Sequence, residues 1–191
     1  ITIGASTGGP EALRSILSCL GGQLPPVLIA QHMPEKFTKL LATNLNNFNH
    51  INVSEAKDGE IIKPGHVYLA PGNYHMELKR PEPLKYAIEL NQNALVNSCR
   101  PSVDVMFNSI SNVYPGKILS IVLTGMGNDG LKGAQALKNK RDVQLIIQDK
   151  ESCVVWGMPA AIHSAGIHDS CLPLSEIQNL LYRLSCKSNN T

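Results

Sequence analysis

An excess of charge of either sign is missing from this chain. Lys and Arg total 17 against 15 Asp and Glu, a net of +2, and no basic block or interleaving of basic and aromatic residues occurs. RNA and DNA are therefore poor partners for it. Long apolar runs are missing too. The longest, Ile118 to Leu123, falls far short of a membrane span and reads as a buried strand, so no direct membrane insertion is expected. No signal peptide is visible. Aromatic residues make up only 5% of the chain, which gives little sign of a deep pocket for an acyl chain. The cysteines (Cys19, Cys99, Cys153, Cys171 and Cys186) are odd in number and never spaced as C-x-x-C. Neither a disulfide framework nor a zinc site is expected, and the thiols read as reduced, cytoplasmic packing residues, with Cys186 in an exposed polar tail.

What remains is an ordinary globular balance, 43% hydrophobic and 17% charged over 191 residues. That length suits one domain, and burying roughly 70% of the unfolded surface makes a metal or disulfide unnecessary for folding. The chain starts without Met and its first strand is short, so a piece of a longer protein is expected. An upstream segment then has room for a targeting signal or a second domain.

The chain alternates between strand and helix patterns at both ends. Ile1-Thr2-Ile3 enters a glycine turn, and Glu11 to Leu20 carries Leu13, Ile16, Leu17 and Leu20 at helical spacing. Pro10 stands where the first helical residue belongs, and Gly21-Gly22 ends the helix. Val27 to Ala30 is a continuous apolar run, as in a parallel strand covered on both faces. A helix follows from Glu35 to about Leu45.

The middle holds four short strand candidates: Ile51–Ala56, His66–Ala70, His75–Lys79 and Tyr86–Leu90. Dense Gly and Pro turns between them predict antiparallel hairpins. His66 and His75 read as ordinary strand residues. The last third predicts helices over Ser102 to Val113, Asp129 to Lys140, Pro159 to Ala165 and Ser175 to Leu184. Strands are predicted over Ile118 to Leu123 and Val143 to Gln148. The fold expected is a doubly wound three-layer αβα domain over residues 1–186, its sheet mostly parallel with an antiparallel edge hairpin. Residues 187–191 are expected to be a disordered tail.

Gly4-Ala5-Ser6-Thr7-Gly8, between the first strand and the first helix, matches the G-x-S-x-G nucleophile-elbow pattern. Such a turn lifts one serine to the carboxyl edge of a sheet, beside the free N–H groups of a helix start. A glycine turn there also suits phosphate binding or a merely structural role. It is neither a Walker loop nor G-x-G-x-x-G.

Ligands of open α/β sheets bind where strands end. Ser6, His32 and Asp129 all follow apolar strands, and together they are a nucleophile, a base and an orienting carboxylate. Each has an ordinary explanation alone: a turn residue, a structural histidine, an N-cap. Their joint placement is what points to catalysis. Met126, between Gly125 and Gly127, offers an N–H to an oxyanion.

Six stretches then resemble one family. They are Ile3-Gly4-Ala5-Ser6-Thr7-Gly8-Gly9-Pro10, Gln31-His32-Met33-Pro34, Tyr68-Leu69-Ala70-Pro71-Gly72, Arg100-Pro101-Ser102-Val103-Asp104, Leu123-Thr124-Gly125-Met126-Gly127-Asn128-Asp129-Gly130 and Gly157-Met158-Pro159. In this order and spacing they resemble the catalytic domain of the chemotaxis receptor methylesterases, the CheB family, from about Ile3 to Leu184. The resemblance implies a serine hydrolase without metal or organic cofactor. Its substrates would be γ-methyl esters of glutamate in the cytoplasmic helices of methylated chemoreceptors, with methanol as product, and receptor glutamines for deamidation. By position it implies Ser6 as nucleophile, His32 as base, Asp129 as its partner, Met126 and Thr7 at the oxyanion site, and Arg100 and Ser102 near the cleft. Arg100 and Ser102 also read simply as a turn residue and an N-cap. Family members usually carry an N-terminal receiver domain that covers the site until phosphorylated, and nothing in this chain resembles one. Two other readings stay open at the level of the residues: a small-molecule or lipid esterase with the same triad, and a silent phosphate- or nucleotide-binding module.

Overall fold

The computed structural model describes residues 1–18, 20–21, 24–47 and 51–186. Cys19, Gly22 and the tail expected over 187–191 lie outside the described residues. The first apolar run is β1 (Thr2–Ala5), followed by α1 (Gly9–Leu17), β2 (Val27–Gln31) and α2 (Glu35–Asn47). Next come β3 (Asn52–Glu55), β4 (His66–Leu69), β5 (His75–Glu82) and β6 (Lys85–Asn91). The last part runs α3 (Val103–Val113), β7 (Ile118–Val122), α4 (Leu131–Lys138), β8 (Val143–Gln148), α5 (Met158–Ser164), β9 (Ser170–Leu172) and α6 (Leu174–Cys186).

Seven strands form one parallel sheet in the order β3-β4-β2-β1-β7-β8-β9. The chain first builds outward from β1 through β2, then returns to β1's other side with β7. The sheet is therefore doubly wound, as expected, and its topological switch point lies between β1 and β7. Side chains alternate between the two faces because successive Cβ atoms point in opposite directions. Ile3, Ile29, Leu69, Ile121 and Ile146 pack under α1, α2 and α6 with Leu13, Leu45 and Ile177. Leu28, Tyr68, Val122, Leu145 and Ile147 pack on the opposite face with Phe107, Leu137 and Ile162 of α3, α4 and α5.

The middle of the chain corrects part of the hairpin expectation. β5 and β6 do form an antiparallel hairpin, as a separate two-stranded sheet closed by Pro83-Leu84. It packs on the α3 side through Met76, Leu78 and Ile88. β3 and β4 are parallel strands at the edge of the main sheet, joined by residues 56–65 without a helix. Their turn residues punctuate a crossover loop rather than a tight reversal. Strand β9, three residues long, has no strong apolar pattern and was not anticipated.

Two helix starts also differ from expectation. α1 begins one residue before Pro10 and ends at Leu17, although Leu20 is still buried beyond it. α4 begins at Leu131 and its cap position is Gly130, so Asp129 is not an N-cap. Its carboxylate is free for the contacts described next.

Candidate active site

β2, β1 and β7 are parallel neighbours in the sheet, so their carboxyl ends lie along the same edge. Ser6 follows β1, His32 follows β2, and Asp129 lies in the loop after β7. The parallel ladder continues one step past the strands: His32 N–H donates to Ala5 O at 3.0 Å, and Ser6 N–H donates to Thr124 O at 3.0 Å. Ser6 O in turn accepts from Gly9 N–H at 2.8 Å. Gln31, fully buried, donates through Nε2 to the carbonyls of both Ser6 (2.9 Å) and His32 (3.0 Å). That amide stitches together the backbones on which serine and histidine stand.

The turn carrying Ser6 differs from a strained elbow. Its left-handed residue is Gly8, at φ 80°, which caps α1; Ser6 is not among the residues with positive φ. The crowding is supplied instead by Gly125. A Cβ there would come 2.7 Å from Ser6 Cβ, so only glycine lets the β7 loop lie against the serine.

His32 and Asp129 are in direct contact. His32 Nε2 lies 2.8 Å from Asp129 Oδ2, with the imidazole side chain 14% exposed and the carboxylate 2%. Burial alone would lower the His32 pKa. The bond to Asp129, with a contribution from Cys99, outweighs it and raises the value to about 9. Burial alone would raise Asp129, but the donors around it hold its pKa down to about 2. Those donors are numerous. Asp129 Oδ1 accepts from Ser102 Oγ (2.7 Å), Asn97 Nδ2 (2.8 Å) and Asp104 N–H (3.2 Å), and Oδ2 accepts from Val103 N–H (2.6 Å) as well as His32. The carboxylate thus sits on the N-terminus of α3, where free N–H groups and the helix dipole favour an anion.

With Nε2 committed to the carboxylate, Nδ1 is the nitrogen left to take a proton. It faces Cys99 Sγ at 3.6 Å. Among the described residues no hydrogen bond joins Ser6 Oγ to either ring nitrogen. Serine–base contacts are often long before substrate arrives.

The other expected site residues divide. Ser102 is fully buried, caps α3 by accepting from Val105 N–H at 3.5 Å, and donates to Asp129 as well. Met126 follows Gly125 in the loop against Ser6, and its side chain is exposed. Thr7 is exposed beside Ser6, and its carbonyl accepts from Thr124 Oγ1 at 2.9 Å. Arg100 turns to the loops: Nη1 donates to Gln92 O and Asn93 O, and Nη2 to Asn73 Oδ1. That is the behaviour of a turn residue. His75 is buried, accepting at Nδ1 from Ser102 N–H and contacting Ala94 O through Nε2.

Three contributors escaped the sequence reading. Gln31 lies in a motif without a role of its own, Cys99 reads as a packing residue, and Asn97 stands outside every motif. The one signal for Asn97 is local, an Asn-Ser pair suited to a left-handed turn.

The sequence model of a family described as CheB methylesterase matches residues 1–181. The chain belongs to that family. CheB relatives include the protein-glutamate methylesterase/protein-glutamine glutaminase 2 of Caulobacter vibrioides, 45% identical over 93% of this chain and 51% of the relative. The protein-glutamate methylesterase/protein-glutamine glutaminase of Trichodesmium erythraeum is 44% identical over 96% of this chain and 52% of its own length. The chain spans about half the length of the curated relatives it matches. The Thermotoga maritima CheB methylesterase catalytic domain superposes with a TM-score of 0.91, at 41% identity and over 96% of both chains. The CheB catalytic fold therefore covers nearly all of the chain, with the His32–Asp129 pair at its switch point.

Proposed function

We propose that this chain is the catalytic unit of a serine hydrolase that removes methyl esters from glutamate side chains of chemoreceptor helices in the cytoplasm, releasing methanol. The observation that carries this reading is the 2.8 Å His32–Asp129 contact beside Ser6 at adjacent strand ends of a CheB-family fold. Ser6 Oγ attacks the ester carbonyl carbon while its proton passes to His32 Nδ1. Asp129 holds Nε2–H, fixes the tautomer and stabilises the imidazolium. The carbonyl oxygen becomes an oxyanion, received by backbone N–H groups of Met126 and Thr7. The bond to methoxide then breaks, His32 returns the proton, and methanol leaves. Water repeats the cycle on the acyl-enzyme and frees the glutamate carboxylate and Ser6. On a glutamine the same steps release ammonia in place of methanol, which makes receptor deamidation a second activity of one site.

A protein substrate suits the surroundings. Exposed apolar side chains stand on α2, at Phe37 and Leu40, and in the loops near Ser6, at Met126 after Gly125 and at Val154 against Gly8. A shallow groove along α1 and α2, lined by Pro10, Arg14, Met33, Phe37 and Leu40, opens next to His32. Such a surface accepts the side of an amphipathic helix presenting an esterified side chain. The greater length of the relatives leaves room for the receiver domain that the family resemblance implies, as a regulator of access.

The test is methanol release from methylated chemoreceptor by the chain and by Ser6→Ala. Release by the parent with near-total loss in the variant is the expected result. Equal release by both overturns the role of Ser6, and no release from a folded parent overturns the substrate.

A further inference from the structure

The loop before α3 contains a tight turn that reaches both members of the His32–Asp129 pair. Val96 and Cys99 exchange backbone hydrogen bonds (Val96 N–H to Cys99 O at 3.2 Å, Cys99 N–H to Val96 O at 2.9 Å). Between them Asn97 and Ser98 are both left-handed, at φ 51° and 61°. Two successive left-handed residues define the turn that matches the twist of a two-stranded ribbon, and Asn tolerates the first of them well. The turn sets Cys99 Sγ 3.6 Å from His32 Nδ1. It also sends the Asn97 side chain inward, although the residue as a whole is exposed.

The Asn97 amide has two N–H donors, and Nδ2 makes a bond to each of two carboxylates: Asp129 Oδ1 at 2.8 Å and Asp104 Oδ2 at 2.8 Å. Both carboxylates are buried. Burial raises the Asp104 pKa, and the negative charge of Asp129 raises it further. Asp104 also accepts from Gly133 N–H through Oδ1 at 2.7 Å. Two like charges therefore meet at the start of α3 with one neutral side chain donating to both. Besides that bridge, the bond from Asp104 N–H to Asp129 Oδ1 joins the two residues, while their carboxylates repel, and Asp129 is the one that touches the base.

We propose that Asn97 is a positioning residue for the His32–Asp129 pair. Its amide joins Ser102 Oγ and Asp104 N–H in holding Asp129 Oδ1 and ties that oxygen to the Asp104 carboxylate, so that Oδ2, which also accepts from Val103 N–H, stays aimed at His32 Nε2. The inference rests on the reading of His32 and Asp129 as base and partner, and it assigns the Val96–Cys99 turn a purpose: delivering an amide to a carboxylate 32 residues away in sequence.

The charged and titratable groups facing the His32–Asp129 pair are Asp104 from α3, against Asp129, and Cys99 from the turn, against His32. Asn97→Asp keeps the shape and the tolerance for a left-handed backbone but replaces the donor by an acceptor. Asn97→Gly keeps the backbone and removes the side chain. If the amide is what matters, the isosteric aspartate is the worse of the two. We expect Asn97→Asp to lower kcat by roughly 30-fold or more and Asn97→Gly by about tenfold, with KM changed less than about twofold in each. The His32 imidazole, followed by NMR in the folded proteins, should titrate at higher pH in both variants, further in Asn97→Asp, because the two carboxylates lose the one neutral side chain that donates to both. An Asn97→Asp variant with parental kcat and an unmoved His32 titration overturns the proposal. So does an equal loss in both variants with no change in titration, which assigns the effect to the turn backbone. If Asn97→Asp does not fold, the His32 titration in Asn97→Gly decides alone. The NMR readout needs no substrate, so a parent that releases no methanol sinks the proposed function while leaving this inference to be judged on its own.

Discussion

Gly125 backs directly onto Ser6. A Cβ on Gly125 would stand 2.7 Å from Ser6 Cβ and 3.2 Å from Ser6 N, with Met158 Sδ 2.5 Å away. The sulfur is the end of a flexible side chain and can yield, whereas Ser6 is held by its ladder bond to Thr124 and by Gln31. Gly125→Ala therefore displaces the serine. A misplacement on the order of 1 Å costs about 10²-fold in rate, so methanol release should fall by that factor while circular dichroism stays parental. Parental activity in Gly125→Ala would show that the serine has more freedom than this packing allows.

Activity and stability should respond oppositely to alkaline pH. In the proposed mechanism His32 accepts the serine proton, which only the neutral imidazole can do, and its pKa is raised from 6.5 to about 9. kcat/KM is expected to climb with pH up to about 9 and to level off above it. A group with a raised folded pKa contributes stability in full below its unfolded value of 6.5, and loses it as pH rises through about 9. Asp129, lowered from 3.8 to about 2, contributes above 3.8 and loses its share as pH falls through about 2. The pair therefore stabilises most between 3.8 and 6.5. Melting curves across pH, with Asp129→Asn as the control that abolishes the alkaline decline, check this.

Asp129 accepts hydrogen bonds from five donors, among them the imidazole and two N–H groups of the α3 terminus. Asp129→Ala strands those buried donors, and losing one partner of a buried pair costs about 3–5 kcal/mol. Asp129→Asn preserves volume but presents the wrong hydrogen-bonding partner to Nε2. A fall in kcat on the order of 10⁴ is expected, the size seen when a triad carboxylate becomes an amide. Denaturant unfolding separates the two effects, and a mild kinetic loss in Asp129→Asn would remove the carboxylate from the mechanism.

In the proposed mechanism Met126 acts through its backbone N–H. Its side chain is 73% exposed, so Met126→Ala should leave kcat within about twofold of the parent. Replacing Met126 by its α-hydroxy acid, which turns the N–H into an oxygen, should cost roughly 10²–10³-fold. Reversal of that order would make Met126 a substrate contact instead of an oxyanion donor.

The groups that form the cleft differ in how well the sequence announces them. Ser6 and His32 stand one residue past apolar strands, so their place at the sheet edge follows from the local pattern. Asp129 looked like a helix cap because Asp-Gly before a helical stretch is a common cap, yet Gly130 occupies that position. β3 and β4 carry turn signals on both sides, and turn chemistry alone does not distinguish a hairpin from a crossover between parallel strands. Arg100 follows a loop and precedes a helix, a position that suits ligand contact or loop bracing, and its guanidinium braces loops.

From its own residues the sequence determined the alternation of strands and helices, the parallel sheet with two covered faces, and the gathering of Ser6, His32 and Asp129 at one edge. These depend on local periodicity and on the rule that strand ends of a wound sheet converge. Tertiary structure alone decided which nitrogen of His32 meets Asp129, that Asn97 and Ser102 hold that carboxylate, that Cys99 lies against the other nitrogen, and that Gln31 joins the serine and histidine backbones. Those contacts link residues 25 to 97 positions apart, apart from the one between Gln31 and its neighbour His32. Hydrogen bonds of such range leave no periodic trace in the chain, because their partners are brought together only by how the sheet is ordered and where α3 begins.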